Sequence, residues 1–236
     1  MKRLAVVVAS AALAILTPAA AGGVDAGPMH RLRAGVAINW AGYIAHTGPF
    51  TSASTTWTEP SVSCGSGENS ALASFAALDG AGSSTVEQIG TLTTCQNGRV
   101  THKAFFEMFP RGPQYPAKPV RAGDSLTASV VAGASHTFTL TLVNRTAGWT
   151  FKTNQRVRRA RLASAEAIVE APTLQGAGIV PLANFGQINF NGTSANGKAI
   201  STFGPEAVTM VNNSGTVKAQ PSGLSGGSFS VFWRHS

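Results

Sequence analysis

Apolar and polar residues alternate along much of this chain, in short runs that turn residues separate. Within residues 135–143, Phe138, Leu140 and Leu142 fall on one face and three threonines on the other, which is the two-residue period of a β-strand. Residues 144–148 then supply a turn into a second apolar run. The pattern therefore predicts a β-hairpin at this point.

Comparable runs recur along most of the chain and predict further strands. They lie near residues 38–45, 54–58, 72–78, 86–92, 100–109, 125–131, 208–211 and 228–233. Many short strands separated by turns are typical of an antiparallel sandwich or a closed barrel. Residues 156–169 are the one stretch rich in good helix formers, so a helix stays open there as an alternative.

The first 21 residues have the form of a secretory signal peptide. Lys2 and Arg3 precede an uncharged run, and Pro18 to Ala21 offer small residues for cleavage. No later stretch is long and uncharged enough to span a bilayer. We therefore expect a secreted, soluble monomer with a short N-terminal or pro-segment over residues 22–37 and one domain over residues 38–236.

The chain has two cysteines, Cys64 and Cys95. An oxidising compartment favours joining them, which would close a loop of about 30 residues and add roughly 3–4 kcal/mol of stability. A reactive thiol is the weaker alternative. Two cysteines are too few for a zinc site by themselves, and the five histidines show no metal-ligand spacing, so no metal is expected.

Basic residues outnumber acidic ones, giving a net charge of +8. Without Lys2 and Arg3 the charge is +6, and much of the excess falls in residues 152–161. No nucleic-acid motif surrounds this stretch, so we expect a solvated loop and no nucleic-acid partner, with acidic cell-surface polymers as the alternative. Any arginine of this stretch that lies near Glu170 would lower the pKa of that carboxyl.

Carboxylates are few, and three of them interrupt strand-like apolar segments. These are Asp79, Glu107 and Glu170. Alternation places each carboxylate on a face shared with apolar or aromatic residues, as a substrate groove requires. The alternative is that all three occupy edge positions in contact with water, since an unpaired buried charge is costly.

Six segments, in order, resemble the glutamic peptidases, also called eqolisins. They cover about residues 38 to 190 and read Asn39-Trp40-Ala41-Gly42-Tyr43, Ala76-Ala77-Leu78-Asp79-Gly80, Glu87-Gln88-Ile89-Gly90-Thr91, Phe106-Glu107-Met108-Phe109-Pro110, Ala165-Glu166-Ala167-Ile168-Val169-Glu170 and Leu182-Ala183-Asn184-Phe185-Gly186. The resemblance implies an all-β fold, an antiparallel sandwich of two sheets of about seven strands each in a concanavalin-like jelly roll. It also implies a substrate groove across one sheet.

The resemblance further implies the roles of individual residues. Gln88 and Glu170 match the catalytic pair, and a second set matches positions that bind substrate or support the pair: Trp40, Phe75, Asp79, Phe105, Glu107 and Phe109. Relatives often carry tryptophan at the positions of Phe75, Phe105 and Ala167, and fungal relatives carry an acid at the position of Lys103. The implied substrates are polypeptides.

The chemistry of peptide hydrolysis suits this pair. Glu170 can deprotonate water and later return the proton, as a general base and acid. Gln88 carries an amide group that donates hydrogen bonds without ionising, so it can stabilise the developing oxyanion. Neither a metal nor another cofactor is required for this mechanism, and an acid pH range is expected.

Three alternatives lead to other functions. A sandwich of this kind can bind or hydrolyse glycans with a carboxylate pair such as Glu107 and Glu170. Residues 223–227 match a Gly-x-Ser-x-Gly pattern but lack the strand-to-helix context of a serine hydrolase. A binding protein without activity on the same scaffold is the third, because a fold does not determine a function.

Overall fold

The computed structural model describes residues 24–174 and 178–236, so the signal peptide expected at residues 1–21 lies outside the described residues. Two short 3₁₀ helices cover Ala134–His136 and Ile200–Phe203. The strands found in the described ranges are β1 (Val24–Asp25), β2 (Arg31–Arg33), β3 (Val36–Ala37), β4 (Trp40–Ala45), β5 (Ser52–Thr58), β6 (Asn69–Asp79), β7 (Val86–Gln96), β8 (Arg99–Phe109), β9 (Arg111–Gln114), β10 (Ser125–Ala132), β11 (Thr137–Asn144), β12 (Trp149–Arg156), β13 (Ala165–Glu170), β14 (Thr173–Leu174), β15 (Gly178–Ile179), β16 (Gln187–Ala195), β17 (Lys198–Ala199), β18 (Glu206–Val211), β19 (Val217–Pro221) and β20 (Phe229–Trp233).

Two antiparallel sheets form the body of the molecule. The first has the order β9-β8-β7-β6-β13-β4-β18. The second has the order β12-β11-β10-β5-β16-β20-β19, and β18 also pairs with β19. The expected antiparallel β-sandwich is confirmed, with seven strands in each sheet.

Alternation along the strands builds the main core between the sheets. Leu78 and Ile89 face inward from the first sheet, and Leu126, Leu140 and Phe190 face them from the second, all five with exposures of 0%. Complete burial of a side chain of this size is worth roughly 1.5–3 kcal/mol. The residues that alternate with those of the first sheet lie on its outer face, in a separate buried cluster.

Residues 156–169 form no helix. The chain leaves β12 at Arg156, turns through residues 157–164, and enters β13, which pairs with β4 on one side and β6 on the other. Pairing on both edges satisfies the backbone of β13 completely, and this overrides the modest helix propensity of the stretch. Within the two described ranges, no helix is both long and apolar enough to cross a membrane.

The two cysteines form the expected disulfide, Cys64–Cys95, across 31 positions. Replacing both with alanine removes the restriction on the unfolded chain, so we expect the free energy of unfolding to fall by about 3–4 kcal/mol. Urea unfolding of the Cys64→Ala, Cys95→Ala double variant beside the parent protein measures this. An unchanged midpoint would show that the bridge contributes no stability.

Candidate active site

Gln88, Glu107 and Glu170 lie on the outer face of the first sheet. Gln88 on β7 stands directly opposite Glu107 on β8, while Glu170 is on β13, with β6 between β7 and β13. All three side chains have exposures of 0%. The sequence-based alternative of water-exposed edge positions for Glu107 and Glu170 is therefore wrong.

Two glycines let the backbones of this sheet come unusually close. A Cβ atom at Gly90, two positions after Gln88, would lie 1.9 Å from the carbonyl oxygen of Ser74. At Gly42 on β4 a Cβ atom would lie 2.2 Å from the carbonyl oxygen of Ala167, and its φ of +149° also disfavours other residues. These glycines fix the spacing of the strands that carry Gln88 and Glu170.

The chain's own N-terminal residues cover the three side chains. The N–H of Ala26 donates to Oε2 of Glu107 over 3.1 Å, and the N–H of Gly27 donates to Oε1 of Glu170 over 3.1 Å. The side-chain amide of Gln88 donates to the carbonyl oxygen of Ala26 and, over 3.3 Å, to Oε2 of Glu107. One peptide group of the chain thus contacts both Gln88 and Glu170.

Asn39 is a further member of the site, and the sequence-based list of site residues omits it. Its amide donates to Oε1 of Glu170 over 3.3 Å and to the carbonyl oxygen of Pro28 over 3.0 Å, and its Oδ1 accepts from the N–H of His30 over 2.8 Å. Asn39 therefore joins the carboxylate of Glu170 to the backbone of Pro28 and His30. The sequence signal that could have identified Asn39 is its position beside Trp40, in the first of the six matching segments.

Aromatic rings line the same face. Trp40 and Phe75 meet edge to face with centroids 5.7 Å apart, and Phe75 meets Phe105 at 6.3 Å. Phe109 packs against this cluster. Ala167, however, lies in the core between the sheets, because alternation on β13 turns it away from Glu170, so it forms no part of the groove wall.

Asp79 lies at the end of β6 and holds a loop. Its carboxylate accepts the backbone N–H groups of Arg161, Leu162 and Ala163 over 2.8–2.9 Å. These residues lead into β13, so Asp79 fixes the start of the strand that carries Glu170. The structure gives Asp79 no hydrogen bond to Gln88 or Glu170.

Comparison with known proteins identifies the family. The model of the Peptidase A4 family matches residues 38–232. The chain belongs to the Peptidase A4 family. This places it among glutamic peptidases, hydrolases that cleave peptide bonds, and the family resemblance read from the six segments is confirmed. No curated protein sequence matches the chain.

Solved glutamic peptidases share the fold of this A4 family member. Scytalido-glutamic peptidase with a transition state analog inhibitor is 24% identical with a TM-score of 0.73, covering 84% of this chain and 98% of its own. SCP-B, an eqolisin in complex with the tripeptide Ala-Ile-His, is 22% identical with a TM-score of 0.68 and covers 84% and 98%. Aspergilloglutamic peptidase from Aspergillus niger is 21% identical with a TM-score of 0.62 and covers 70% and 99%.

The serine-hydrolase, metal and basic-stretch candidates from the sequence do not converge on this peptidase site. Ser225 lies in the turn between β19 and β20, where its backbone pairs with Ser228, so the Gly-x-Ser-x-Gly pattern has no strand-to-helix setting. Among the described residues, no three His, Cys, Asp or Glu side chains are grouped as metal ligands. The basic side chains of residues 152–161 are exposed.

Burial controls the protonation of the carboxyl groups in this peptidase. Burial, followed by the charge of Asp25, raises the pKa of Glu107 to about 9. Burial and then the charge of Glu107 raise the pKa of Glu170 well above its usual value, against hydrogen bonds such as that from Asn39. No arginine charge is among the causes of this shift, so the condition for a lowered pKa of Glu170 is not met and desolvation dominates.

A second group of buried carboxyls lies near the entry to β13. Burial and the charge of Asp79 raise the pKa of Glu87 to about 9. Burial likewise raises the pKa of Glu166 well above its usual value, although Ser164 donates to it over 3.1 Å. With a pKa near 9, Glu87 is neutral in the folded peptidase at acid and neutral pH.

These shifts predict that the peptidase is more stable in acid than at pH 8. Glu87 and Glu107 titrate near 9 when folded against an ordinary value of 4.5, so their contribution is complete below pH 4.5 and is lost as pH rises toward 9. Glu206 acts oppositely. Burial opposes its ionisation, but hydrogen bonds led by that from Arg31 outweigh burial and lower its pKa to about 2, so its contribution is lost only as pH falls below 4.5.

Thermal unfolding followed by circular dichroism tests this balance. We expect Tm to be higher at pH 4 than at pH 8 by at least about 4 °C, the equivalent of one to two kcal/mol for a chain of this length. A Glu87→Gln variant cannot titrate at that position and should show a smaller difference. A higher Tm at pH 8 would contradict the argument.

Proposed function

We propose that this protein is an exported acid endopeptidase that hydrolyses polypeptides with Glu170 and Gln88 as its catalytic pair. The observation that supports this assignment is the position of the Ala26–Gly27 peptide group. Its carbonyl oxygen accepts from the Gln88 amide, and its N–H donates to Glu170. These are the two atoms of a peptide bond that need an oxyanion donor and a proton donor.

The proposed reaction uses one side-chain oxygen of Glu170 and one of Gln88. Oε2 of Glu170 and Oε1 of Gln88 are buried and accept no hydrogen bond from the described residues. Both are available to bind a water molecule. Ionised Glu170 takes a proton from that water as its oxygen attacks the carbonyl carbon, and the Gln88 amide donates to the oxyanion. Glu170 then protonates the leaving nitrogen.

Glu107 has a supporting role in this proposal. It accepts from the Gln88 amide and from the N–H of Ala26, so it orients both the oxyanion donor and the bound backbone. With its pKa near 9 it is neutral at the working pH. A neutral carboxyl keeps a second negative charge away from Glu170, which would otherwise raise the cost of ionising the base.

The proposal also includes secretion of the protein and the class of molecule that it acts on. The expected signal peptide and the disulfide suit an oxidising, extracellular compartment. Polypeptides are the proposed substrates of the secreted monomer, without nucleic-acid or membrane partners. A glycan-directed sandwich is the competing function, and a parallel assay on polysaccharides separates the two.

Replacing either member of the pair should abolish most activity while the fold survives. We expect Glu170→Gln and Gln88→Ala each to lower kcat/KM by about 10²–10³-fold or more, since each removes a proton acceptor or an oxyanion donor. Cleavage of a denatured protein at acid pH provides the rate, and circular dichroism confirms folding. Glu166→Gln, on the same strand and face, is the matched control and should retain activity.

The pH–rate profile should be bell-shaped. The rate rises as Glu170 ionises and falls as Glu107 loses its proton, because a second charge then opposes that ionisation. Burial is the main cause of the raised pKa of both Glu170 and Glu107, so opening the groove to water lowers both pKa values and moves the whole profile toward acid pH. A Glu107→Gln variant should lose the falling limb, and an unchanged falling limb would remove Glu107 from the mechanism.

A further inference from the structure

The exposed charges of this protein are almost all positive. Every acidic residue of the chain lies within the described ranges, and seven of the ten are buried. Of the other three, Glu206 pairs with Arg31 and His46, and Glu68 accepts hydrogen bonds within its own loop. Among the described lysines and arginines, Arg31 alone forms an ion pair with a carboxylate. The surface therefore carries many basic side chains that the chain's own acidic residues do not neutralise.

Basic side chains gather where the terminal strands of the two sheets meet. β9 ends the first sheet and β12 ends the second, and Nη2 of Arg111 on β9 donates to the carbonyl oxygen of Arg156 on β12 over 3.2 Å. No carboxylate of the described residues forms an ion pair with a basic side chain of this region. We define the basic edge as its six exposed members: Arg111, Lys152, Arg156, Arg158, Arg159 and Arg161.

Protection of the sheet edge accounts for only part of this cluster. Charged side chains on a terminal strand prevent pairing with other strands, and Lys152 and Arg156 on β12 serve that purpose. Arg158, Arg159 and Arg161, however, follow the end of β12, where there is no strand edge to protect. Like charges at such close positions in the chain repel one another, so a ligand with negative charges would stabilise the basic edge.

A row of hydroxyl groups begins at the basic edge and crosses the outer face of the second sheet. Lys152 on β12 stands opposite Thr141 on β11, which stands opposite Ser129 on β10. Ser54 on β5 continues the row, which spans roughly 14 Å because neighbouring strands lie about 4.8 Å apart. The residues on either side of Thr141 are buried in the core, so the row faces outward. The hydroxyls of Thr141 and Ser129 form no hydrogen bond with another described residue, and a ligand can therefore use them.

We propose that the basic edge and this row of hydroxyl groups bind a polysaccharide that carries carboxylate groups. Each sugar of such a polymer presents a carboxylate beside several hydroxyls, which matches guanidinium groups placed beside hydroxyl side chains. Five of the six members of the basic edge are arginines. Arginine suits this partner because its planar group binds a carboxylate through two hydrogen bonds and keeps its charge at every working pH.

The aromatic rings of β12 are not available to stack on nucleic-acid bases. Phe151 stacks on Phe106 with centroids 5.8 Å apart, and Nε1 of Trp149 donates to the carbonyl oxygen of Pro119 over 2.8 Å. Single-stranded nucleic acids are bound largely by stacking of their bases on such rings. The surface therefore favours a polysaccharide over a nucleic acid.

The proposed binding surface and the catalytic pair lie on opposite sides of the sandwich. Gln88 and Glu170 are on the outer face of the first sheet, whereas the row of hydroxyl groups is on the outer face of the second. A polysaccharide bound there leaves the groove open and is held without being cleaved. Such binding keeps a secreted protein at a surface rich in acidic sugars, and it requires no catalysis.

The first experiment measures the affinity of the protein for polygalacturonate. We expect the triple variant Lys152→Gln, Arg156→Gln, Arg158→Gln to bind at least about tenfold more weakly than the parent at low salt, since it loses three charged donors. Added salt should weaken the binding of the parent, because it screens the charges. Circular dichroism confirms that the variant is folded.

A second triple variant is the matched control. It removes two arginines and one lysine from exposed positions away from the basic edge, so its net charge changes equally: Arg33→Gln, Arg99→Gln and Lys103→Gln. This control should bind polygalacturonate as the parent does. Equal losses of affinity in the two triple variants would show that only the overall charge matters, and this would overturn the proposal.

The second experiment tests the kind of partner. The double variant Thr141→Val, Ser129→Ala removes two hydroxyls without changing the charge. We expect it to bind polygalacturonate about fivefold more weakly, the usual effect of losing one hydrogen bond, and to bind single-stranded DNA of equal charge as the parent does. The parent should bind polygalacturonate more tightly than this DNA. Tighter binding of the DNA would assign the surface to nucleic acids and refute the proposal.

The third experiment tests the position of the surface relative to the groove. Parent protein held on beads of polygalacturonate should cleave an added peptide at the rate of the free protein. A rate that falls in proportion to the bound fraction would place the polymer over the groove and contradict the proposal. If the protein binds the beads but cleaves no peptide, either bound or free, the proposed function fails and this inference stands.

Discussion

The burial of carboxyl groups away from water is the constraint on which the rest of this structure depends. The chain has ten acidic residues, and seven of their side chains are buried within the described residues: Glu59, Asp79, Glu87, Glu107, Asp124, Glu166 and Glu170. An isolated ionised carboxylate is too costly to bury. Each of these groups therefore either receives enough hydrogen bonds or keeps its proton.

Glu59 and Glu170 show these two solutions on opposite faces of the first sheet, with different roles. Glu59 accepts from Trp57, Thr91, Thr93 and His102, so donors surround it and it serves the packing of the sandwich. Glu170 has fewer donors, keeps one oxygen without a partner, and is desolvated by the backbone of residues 26 and 27. A carboxyl group with few hydrogen-bond donors, such as Glu170, keeps an oxygen that can bind water or accept a proton.

Sequence reasoning was sufficient for the architecture because alternation is a local signal. The two-residue period that identified Phe138, Leu140 and Leu142 also placed Glu107 and Glu170 on faces shared with apolar residues, which the structure shows to be the outer face of the first sheet. It was not sufficient to bring Gln88 and Glu170 together, since their proximity depends on the register of β6 between β7 and β13. The family resemblance supplied that pairing, while the path of residues 24–30 came only from the structure, because it consists of main-chain hydrogen bonds that any sequence could offer.

In the proposed function, recognition of the main chain would let the groove accept varied sequences and still select among them. Side chains of Asn39, Gln88, Glu107 and Glu170 all contact backbone atoms of residues 26–30, and such atoms are present in every peptide. In the proposed function, such hydrogen bonding sets the position of the bond to be cut without reading sequence. Selection is left to shape, and the rings around Ala26 and Phe109 beside Gly27 limit the size of the residues that can approach.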